Sequence, residues 1–514
     1  MKRLPRLAPL LLLIAAACAT NPVTGERELR LISAADEIAI GTENYAFSQQ
    51  GQGGPYTVDP SVTAYVAEVG GKLAALSDRP DLPFEFVVLN NPVPNAWALP
   101  GGKIAVNRGL LTELHSEAEL AAVLGHEIVH AAARHGARRM ERGVLLSAGM
   151  AGLGTALGGR RGADVAVGGA ALGAKLISSR YGRDDELESD RYGMDYMARA
   201  GYDPRAAVSL QETFVRLSEG KQGDWLSGLF ASHPPSPERV ARNRAHAAAL
   251  PAGGNLGAEA YRARLSGLFA TAPAYAAAAE GETALAADDP ATALAKAREA
   301  IAALPAEAAF YTLKGRALLA ADDGQGAADA FSEAIRRHDG YFLPFLLRGM
   351  ARKDRGDAAG ARADLGASLA LLPTAGAHFA LGEMDRDTGD ADAAIAHFTA
   401  AAGEGEVGQR AALELARLEL PRQPSKYIAV GADLDERGMV VVRVLNHAPL
   451  AVTGVELTVS LAGPGGLSSP PVRLRLDGPL GPGEGARLGT AIGPIGRELG
   501  AAPVRVLVTA ARPR

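Results

Sequence analysis

Ser116-Glu-Ala-Glu119-Leu-Ala-Ala-Val-Leu-Gly-His126-Glu127-Ile-Val-His130-Ala-Ala-Ala-Arg134-His135 decides how this chain is read. Ser116 with Glu119 three residues on is a capping-box pattern. The run after it has good helix formers and no proline, so one helix continuing through His135 is predicted. At 3.6 residues per turn, His126 and His130 leave the same face one turn apart, and both imidazoles reach one Zn²⁺ at about 2.0–2.1 Å. Glu127 flanks that position, where a carboxylate takes a proton from water that the metal has acidified and passes it to a leaving amine. With 10 histidines and at most 58 glutamates in 514 residues, this HExxH arrangement arises by chance about 0.02 times per chain, so coincidence is a weak explanation. A surface helix with solvated histidines is disfavoured by the neighbouring Leu124, Ile128 and Val129.

Two histidines leave the metal short of a third protein ligand. The candidate lies in Asp184-Asp-Glu186-Leu-Glu188-Ser-Asp190-Arg-Tyr-Gly-Met-Asp-Tyr-Met-Ala-Arg-Ala-Gly201-Tyr-Asp-Pro204. This reads as a second helix, acidic at its start and closed by Gly201 and Pro204. Glu186 and Asp190 share a face, so one can bind metal while the other accepts the N–H of a ligating histidine; Glu188 points elsewhere. Acidic residues at a helix start also complement its dipole, which accounts for Asp184 and Asp185 and in part for Glu186.

HExxH followed by an ExxxD helix resembles the gluzincin peptidase family of BepA, HtpX and the Oma-type proteases. Three further segments carry the resemblance: Asn21-Pro-Val-Thr-Gly, Asn95-Ala-Trp-Ala-Leu-Pro-Gly-Gly-Lys-Ile-Ala-Val-Asn-Arg-Gly-Leu-Leu, and Ser232-His233-Pro-Pro-Ser-Pro-Glu-Arg239. It covers roughly residues 20 to 250. The resemblance implies Glu186 as third zinc ligand, with one Zn²⁺ per chain, and Asp190 as the family's catalytic-site aspartate. It also implies that His233 can occupy the open position on zinc and hold the enzyme latent; a histidine before two prolines is otherwise an ordinary loop residue. Ile104-Ala-Val106 is a β-prone run after a turn. As an open edge it would receive a substrate peptide through main-chain hydrogen bonds; as a plain strand it would only support the helix. The resemblance favours substrate binding, with Asn95, Ala96 and Trp97 contributing. Arg239 either joins that substrate wall or begins the next helix as a solvated charge, the second being the plainer reading.

Met-Lys-Arg followed by the apolar stretch Leu10–Ala17 has the order of a signal peptide and is too short for a membrane span. Cys18, the only cysteine, follows Ala15-Ala16-Ala17 and resembles a bacterial lipobox, with Ala15 where leucine is preferred. The resemblance implies lipidation of Cys18 and, with Ala19 next, the periplasmic face of the outer membrane. A chain with no other cysteine forms no internal disulfide.

The remaining chain is modular. Gly281, Gly315, Gly349 and Gly382 lie 34, 34 and 33 residues apart, the spacing of tetratricopeptide repeats. Phe331, Leu365 and Phe398 recur in step as packing positions, and Asp339 stands where Pro305 and Pro373 stand in neighbouring units. After Tyr427, runs such as Met439–Leu445, Val455–Leu461, Val472–Leu476 and Val504–Val508 lie between Gly/Pro turns and read as a β-sandwich. Gly143–Gly159 has too many glycines for a span and reads as a buried or mobile helical hairpin. Composition is that of a globular chain, 47% apolar and 22% charged with a formal charge of −5, without the basic excess of a nucleic-acid binder.

The expected fold class is therefore α+β: a signal peptide over 1–17, a mostly helical peptidase domain with a small sheet over 18–250, a tetratricopeptide superhelix over 272–420 and a β-sandwich over 426–514. The expected activity is zinc-dependent hydrolysis of peptide bonds in misfolded or misassembled envelope proteins. Protein partners would bind the repeats, and a lipid anchor would hold the chain at the membrane. The alternative is a lipid-anchored chaperone or scaffold with a latent or structural zinc site. The glutamate between the histidines favours the first, since a structural site needs no base.

Overall fold

The computed structural model describes residues 18–144, 180–219, 232–461, 470–495 and 504–514. The expected signal peptide and nearly all of the expected glycine-rich hairpin lie outside the described residues. The chain divides into two compact units, Met1–Ala351 and Arg352–Arg514. No helix among the described residues is long and apolar enough to cross a membrane.

In the first unit a short hairpin, β1 (Cys18–Thr20) and β2 (Arg27–Leu29), leads into helices α1 (Ala34–Gly51) and α2 (Pro60–Ala74). Three strands follow, β3 (Glu85–Leu89), β4 (Ala96–Leu99) and β5 (Lys103–Asn107). The order is β3-β5-β4, with β5 parallel to β3 and antiparallel to β4. Ile104-Ala-Val106 is thus the centre of the sheet and not its open edge. It is paired on both sides and buried throughout, as a continuous apolar run should be. The edges are β3 and β4, and the turn at Gly101 and Gly102 (φ 78° and 86°) brings β5 back alongside β4; both glycines need the left-handed region that glycine allows.

Helix α3 (Glu117–Ala132) packs on this sheet and on α2. Ser116 caps it by accepting from the Glu119 N–H, whereas the Glu119 carboxylate accepts from the N–H of His115 and so does not close the reciprocal box. The helix also stops short of its expected end: Ala133 is the C-cap, Arg134 takes φ 62°, and a separate helical segment covers 135–144. Asn21 meets the buried helix end, its Nδ2 donating to the Ala133 carbonyl while its Oδ1 accepts from Val23 and Thr24. Buried charge holds the break, because the Arg134 guanidinium binds Glu28, Glu37 and Glu141.

Helices α4 (Arg183–Arg199), α5 (Arg205–Glu219) and α6 (Pro237–Ala249) complete the layer over α3. The core does not end at 250: Tyr261, Leu265 and Leu268 are buried in it, and the Tyr261 hydroxyl donates to the Leu111 carbonyl. The apolar core is larger than the motif-bearing segment, which is why composition placed its boundary early.

Helices α7 (Ala272–Ala286), α8 (Pro290–Ala303), α9 (Ala308–Ala320) and α10 (Gly324–Arg337) follow in the first unit. Gly315 is where the Phe331 ring lies, so a Cβ there would come within 2.4 Å of it. In the second unit α11 (Ala358–Leu371), α12 (Ala375–Thr388), α13 (Ala391–Ala401) and α14 (Gly405–Glu419) continue the pattern, with Phe398 against Gly382. The division between units falls inside the helix Phe342–Asp354, so both units contain helices of the region expected as 272–420.

The second unit ends in two three-stranded antiparallel sheets. One is built from β6 (Ile428–Leu434), β7 (Val440–Asn446) and β10 (Gly485–Gly489); the other from β8 (Val452–Leu461), β9 (Val472–Leu476) and β11 (Val504–Pro513). Val440, Val442 and Val444 of the first sheet and Val455, Leu457 and Val459 of the second share one core, the alternation expected of a two-layer β-structure. The chain is an α+β protein.

Candidate metal centre

His126 and His130 project from α3 with their Nε2 atoms 3.0 Å apart. Glu186, from the first turn of α4, places carboxylate oxygens 3.5 Å from each. His233 Nδ1 closes the group at 3.0 Å from Glu186 and 3.3 Å from His126 Nε2. Four ligand atoms, all from buried residues, lie within 4.8 Å of one another. Atoms about 2.1 Å from one tetrahedral ion would stand roughly 3.4 Å apart, so the spacing suits a single metal.

The chemistry of the donors agrees with a cation. His126 Nδ1 donates to Asp190 Oδ1 at 2.9 Å, which turns Nε2 towards the cluster. Burial works against a charged imidazole at His126, yet Glu186 and Asp190 together raise its pKa to about 10. Burial instead keeps His130 neutral, far below the usual histidine range. Burial would also raise Glu186, but the charges of His233 and Arg239 hold it well below the usual carboxylate range. A buried carboxylate ionised among imidazole nitrogens is a ligand set for a divalent metal.

Glu127 points past the ligands. Burial raises its pKa, opposed by His233, whose Nε2 is 3.5 Å from Oε1. Its Oε2 is buried without a hydrogen-bond partner. Beside it a cleft is lined by Val123, Met194, Met197, Leu210 and Phe214 together with Ala96 and Arg239.

Asp190 touches no metal-facing atom: it accepts from His126 and, through both oxygens, from Arg239 at 2.7 Å each. Arg239 is not a solvated charge, being 4% exposed and paired also with Glu186 at 2.8 Å. It further donates to the Pro234 carbonyl at 3.2 Å and so props the loop that presents His233.

Of the three edge-strand residues, Ala96 lines the cleft, whereas the Trp97 ring packs on the opposite face with Tyr45, Leu89 and Leu99. Asn95 is buried and its carbonyl accepts from Asn107 within the sheet. Since pairing alternates along an antiparallel strand, the backbone groups of Ala96 and Ala98 face outward. The Ala98 carbonyl receives the Tyr181 hydroxyl at 3.4 Å.

Sequence reasoning passed over four contributors. Tyr181 stacks on His130 with ring centroids 3.8 Å apart, and no motif announces it. Gly125 and Gly193 let α3 and α4 cross backbone to backbone. His135 sits behind His130, a placement that depends on the break at Arg134.

One helix carrying HExxH and a second supplying a carboxylate define a gluzincin-type metal centre. Residues 60–247 match the model of peptidase family M48. The beta-barrel assembly-enhancing protease of Escherichia coli K12 is 32% identical over 228 residues, covering 42% of this chain and 46% of that one. The protein of that name from Yersinia pestis is 32% identical over 237 residues, covering 42% and 45%. The mitochondrial metalloendopeptidase OMA1 of Arabidopsis thaliana is 37% identical over 166 residues, 32% of each chain. The matched stretch spans less than half the length of each of these relatives.

Proposed function

We propose that the chain is a zinc-dependent endopeptidase acting on unfolded or misassembled proteins of the bacterial envelope. The observation that carries this is Glu127: a buried carboxylate set between the two histidines, with one oxygen unpartnered, in the lining of a cleft. His126, His130 and Glu186 would hold the ion. Bound zinc supplies a Lewis acid that polarises a peptide carbonyl and acidifies water. Glu127 takes the proton from the attacking water and returns it to the leaving nitrogen. Asp190 holds His126 in the tautomer that offers Nε2, and Arg239 holds Asp190. A substrate strand laid along β4 would bond to the outward groups of Ala96, a contact with little demand on side-chain identity; the Ala98 carbonyl is held by Tyr181. Arg239 bounds the same cleft.

His233 gives this enzyme a closed state. Its Nδ1 stands where a substrate oxygen or water would bind, and the loop that carries it moves the site between latent and open. The names of the relatives support envelope quality control as the setting. The reading of Cys18 as a lipid anchor places the enzyme on the periplasmic face of the outer membrane, with the repeats free to hold clients. The position of His233 also favours a second reading, a scaffold whose site stays closed.

Casein hydrolysis by the zinc-loaded full chain, with and without chelator, separates the two. His233→Ala is expected to cleave faster than wild type, and chelator to stop both. Absence of cleavage by His233→Ala with stoichiometric zinc would leave the scaffold.

A further inference from the structure

On the side of the cluster away from the cleft, the break after α3 turns His135 back towards His130. In an unbroken helix five residues are about 140° apart around the axis, too far for the two rings to meet. With Arg134 in the left-handed region, His135 Nδ1 instead stands 2.8 Å from His130 Nδ1. The other ring nitrogen, Nε2, lies 3.2 Å from Glu188 Oε1, and the His135 side chain is wholly buried. Arg138 sits 3.8 Å from the second oxygen of Glu188.

We propose that His135 is a positioning residue for His130, and that Glu188 completes a relay which fixes the tautomer in which His130 offers Nε2 to the metal. This rests on His130 being a ligand. Two ring nitrogens at hydrogen-bond distance share one proton. A ligating His130 has a bare Nε2 and carries its proton on Nδ1, so it is the donor and His135 Nδ1 the acceptor. With its Nδ1 accepting, His135 turns an Nε2–H to Glu188 Oε1. The opposite assignment sets a bare Nε2 of His135 against a carboxylate, two acceptors facing one another. Ser189 Oγ, 3.4 Å from the same Nδ1, and Asp185, 3.8 Å from Nε2, are the more distant neighbours. His126 is thus oriented by a carboxylate in one step, through Asp190, and His130 in two. Such outer partners set both the direction and the basicity of a ligating imidazole. Glu188, which faces away from the metal, gains its role here.

The test is zinc affinity of the purified full chain by chelator competition, with the visible spectrum of the Co²⁺-loaded protein and thermal unfolding as parallel readouts. Wild type must bind one zinc and Glu186→Gln must lose it; failure at that step overturns the metal centre and not the relay. His135→Leu is expected to weaken zinc binding about 10- to 100-fold and shift the Co²⁺ spectrum. His135→Asn, whose Oδ1 replaces Nδ1 as acceptor, should recover most of that loss. Glu188→Ala should weaken binding by less, and add nothing to His135→Leu. Wild-type affinity in Glu188→Ala, or equal losses in His135→Asn and His135→Leu, overturns the relay, and the Glu188→Ala result decides even if His135→Leu does not fold.

Discussion

Gly193 lies against Gly125 so closely that a Cβ on it would stand 3.0 Å from the Gly125 carbonyl carbon and from the His126 nitrogen. Both contacts are backbone, so neither can swing aside. The distance between α3 and α4 at this crossing sets how near Glu186 comes to the two histidines. Gly193→Ala should therefore part the helices, destabilise the chain by about 1–3 kcal/mol and weaken zinc binding about tenfold. Urea unfolding and chelator competition measure the two effects; a variant indistinguishable from wild type would show that the crossing does not govern the site.

Metal removal should loosen the first unit. A ligand that binds only the folded state adds about 4 kcal/mol at a thousand times its dissociation constant, and the ligands here join α3, α4 and the His233 loop. Chelator should lower the melting temperature of wild type in calorimetry and leave that of His126→Ala unchanged. An equal shift in both would place the stabilising ion elsewhere.

Arg239 neutralises two buried carboxylates, Asp190 and Glu186. Arg239→Met keeps much of the volume but removes the charge, and breaking a buried pair costs about 3–5 kcal/mol. Denaturant unfolding of the metal-free chain should show a loss of that order. Lysine at this position should recover only part of it, because it cannot make the two-pronged contact with Asp190.

Phe331 is fully buried against Gly315. Phe331→Ala should cost about 3–5 kcal/mol while zinc stoichiometry stays at one per chain. Loss of zinc in this variant would mean that the repeat helices and the metal centre fold as one cooperative body.

The parts of this molecule that were legible in the sequence are those governed by local period. HExxH places two histidines on one helical face wherever the helix lies, and the glycine and phenylalanine spacing of the repeats reflects a ring packed on a glycine. The same register holds a signal that was passed over: Asp289, Asp323, Asp357 and Asp390 each cap the second helix of a repeat. Features set by long-range pairing were not legible. The central place of Ile104–Val106 depends on a partner strand some 18 residues earlier, and an apolar run looks the same at an edge as in the middle. Arg134 breaks a stretch of good helix formers because Glu28, Glu37 and Glu141 converge on it. Arg239 looked like a surface charge until α4 brought two carboxylates to it. In the β-structure, β6 and β10 went unnoticed because Gly431, Asp433, Gly485 and Gly489 dilute their apolar pattern.

The most direct measurement is casein cleavage by His233→Ala and by His233→Ala combined with Glu127→Gln, each with its zinc content determined. Glutamine keeps the shape of Glu127 and cannot accept the proton, so both proteins should carry one zinc while the second loses cleavage by at least about a hundredfold. Cleavage that survives Glu127→Gln at full zinc occupancy would contradict the assignment of Glu127 as the base and, with it, the catalytic reading of this centre.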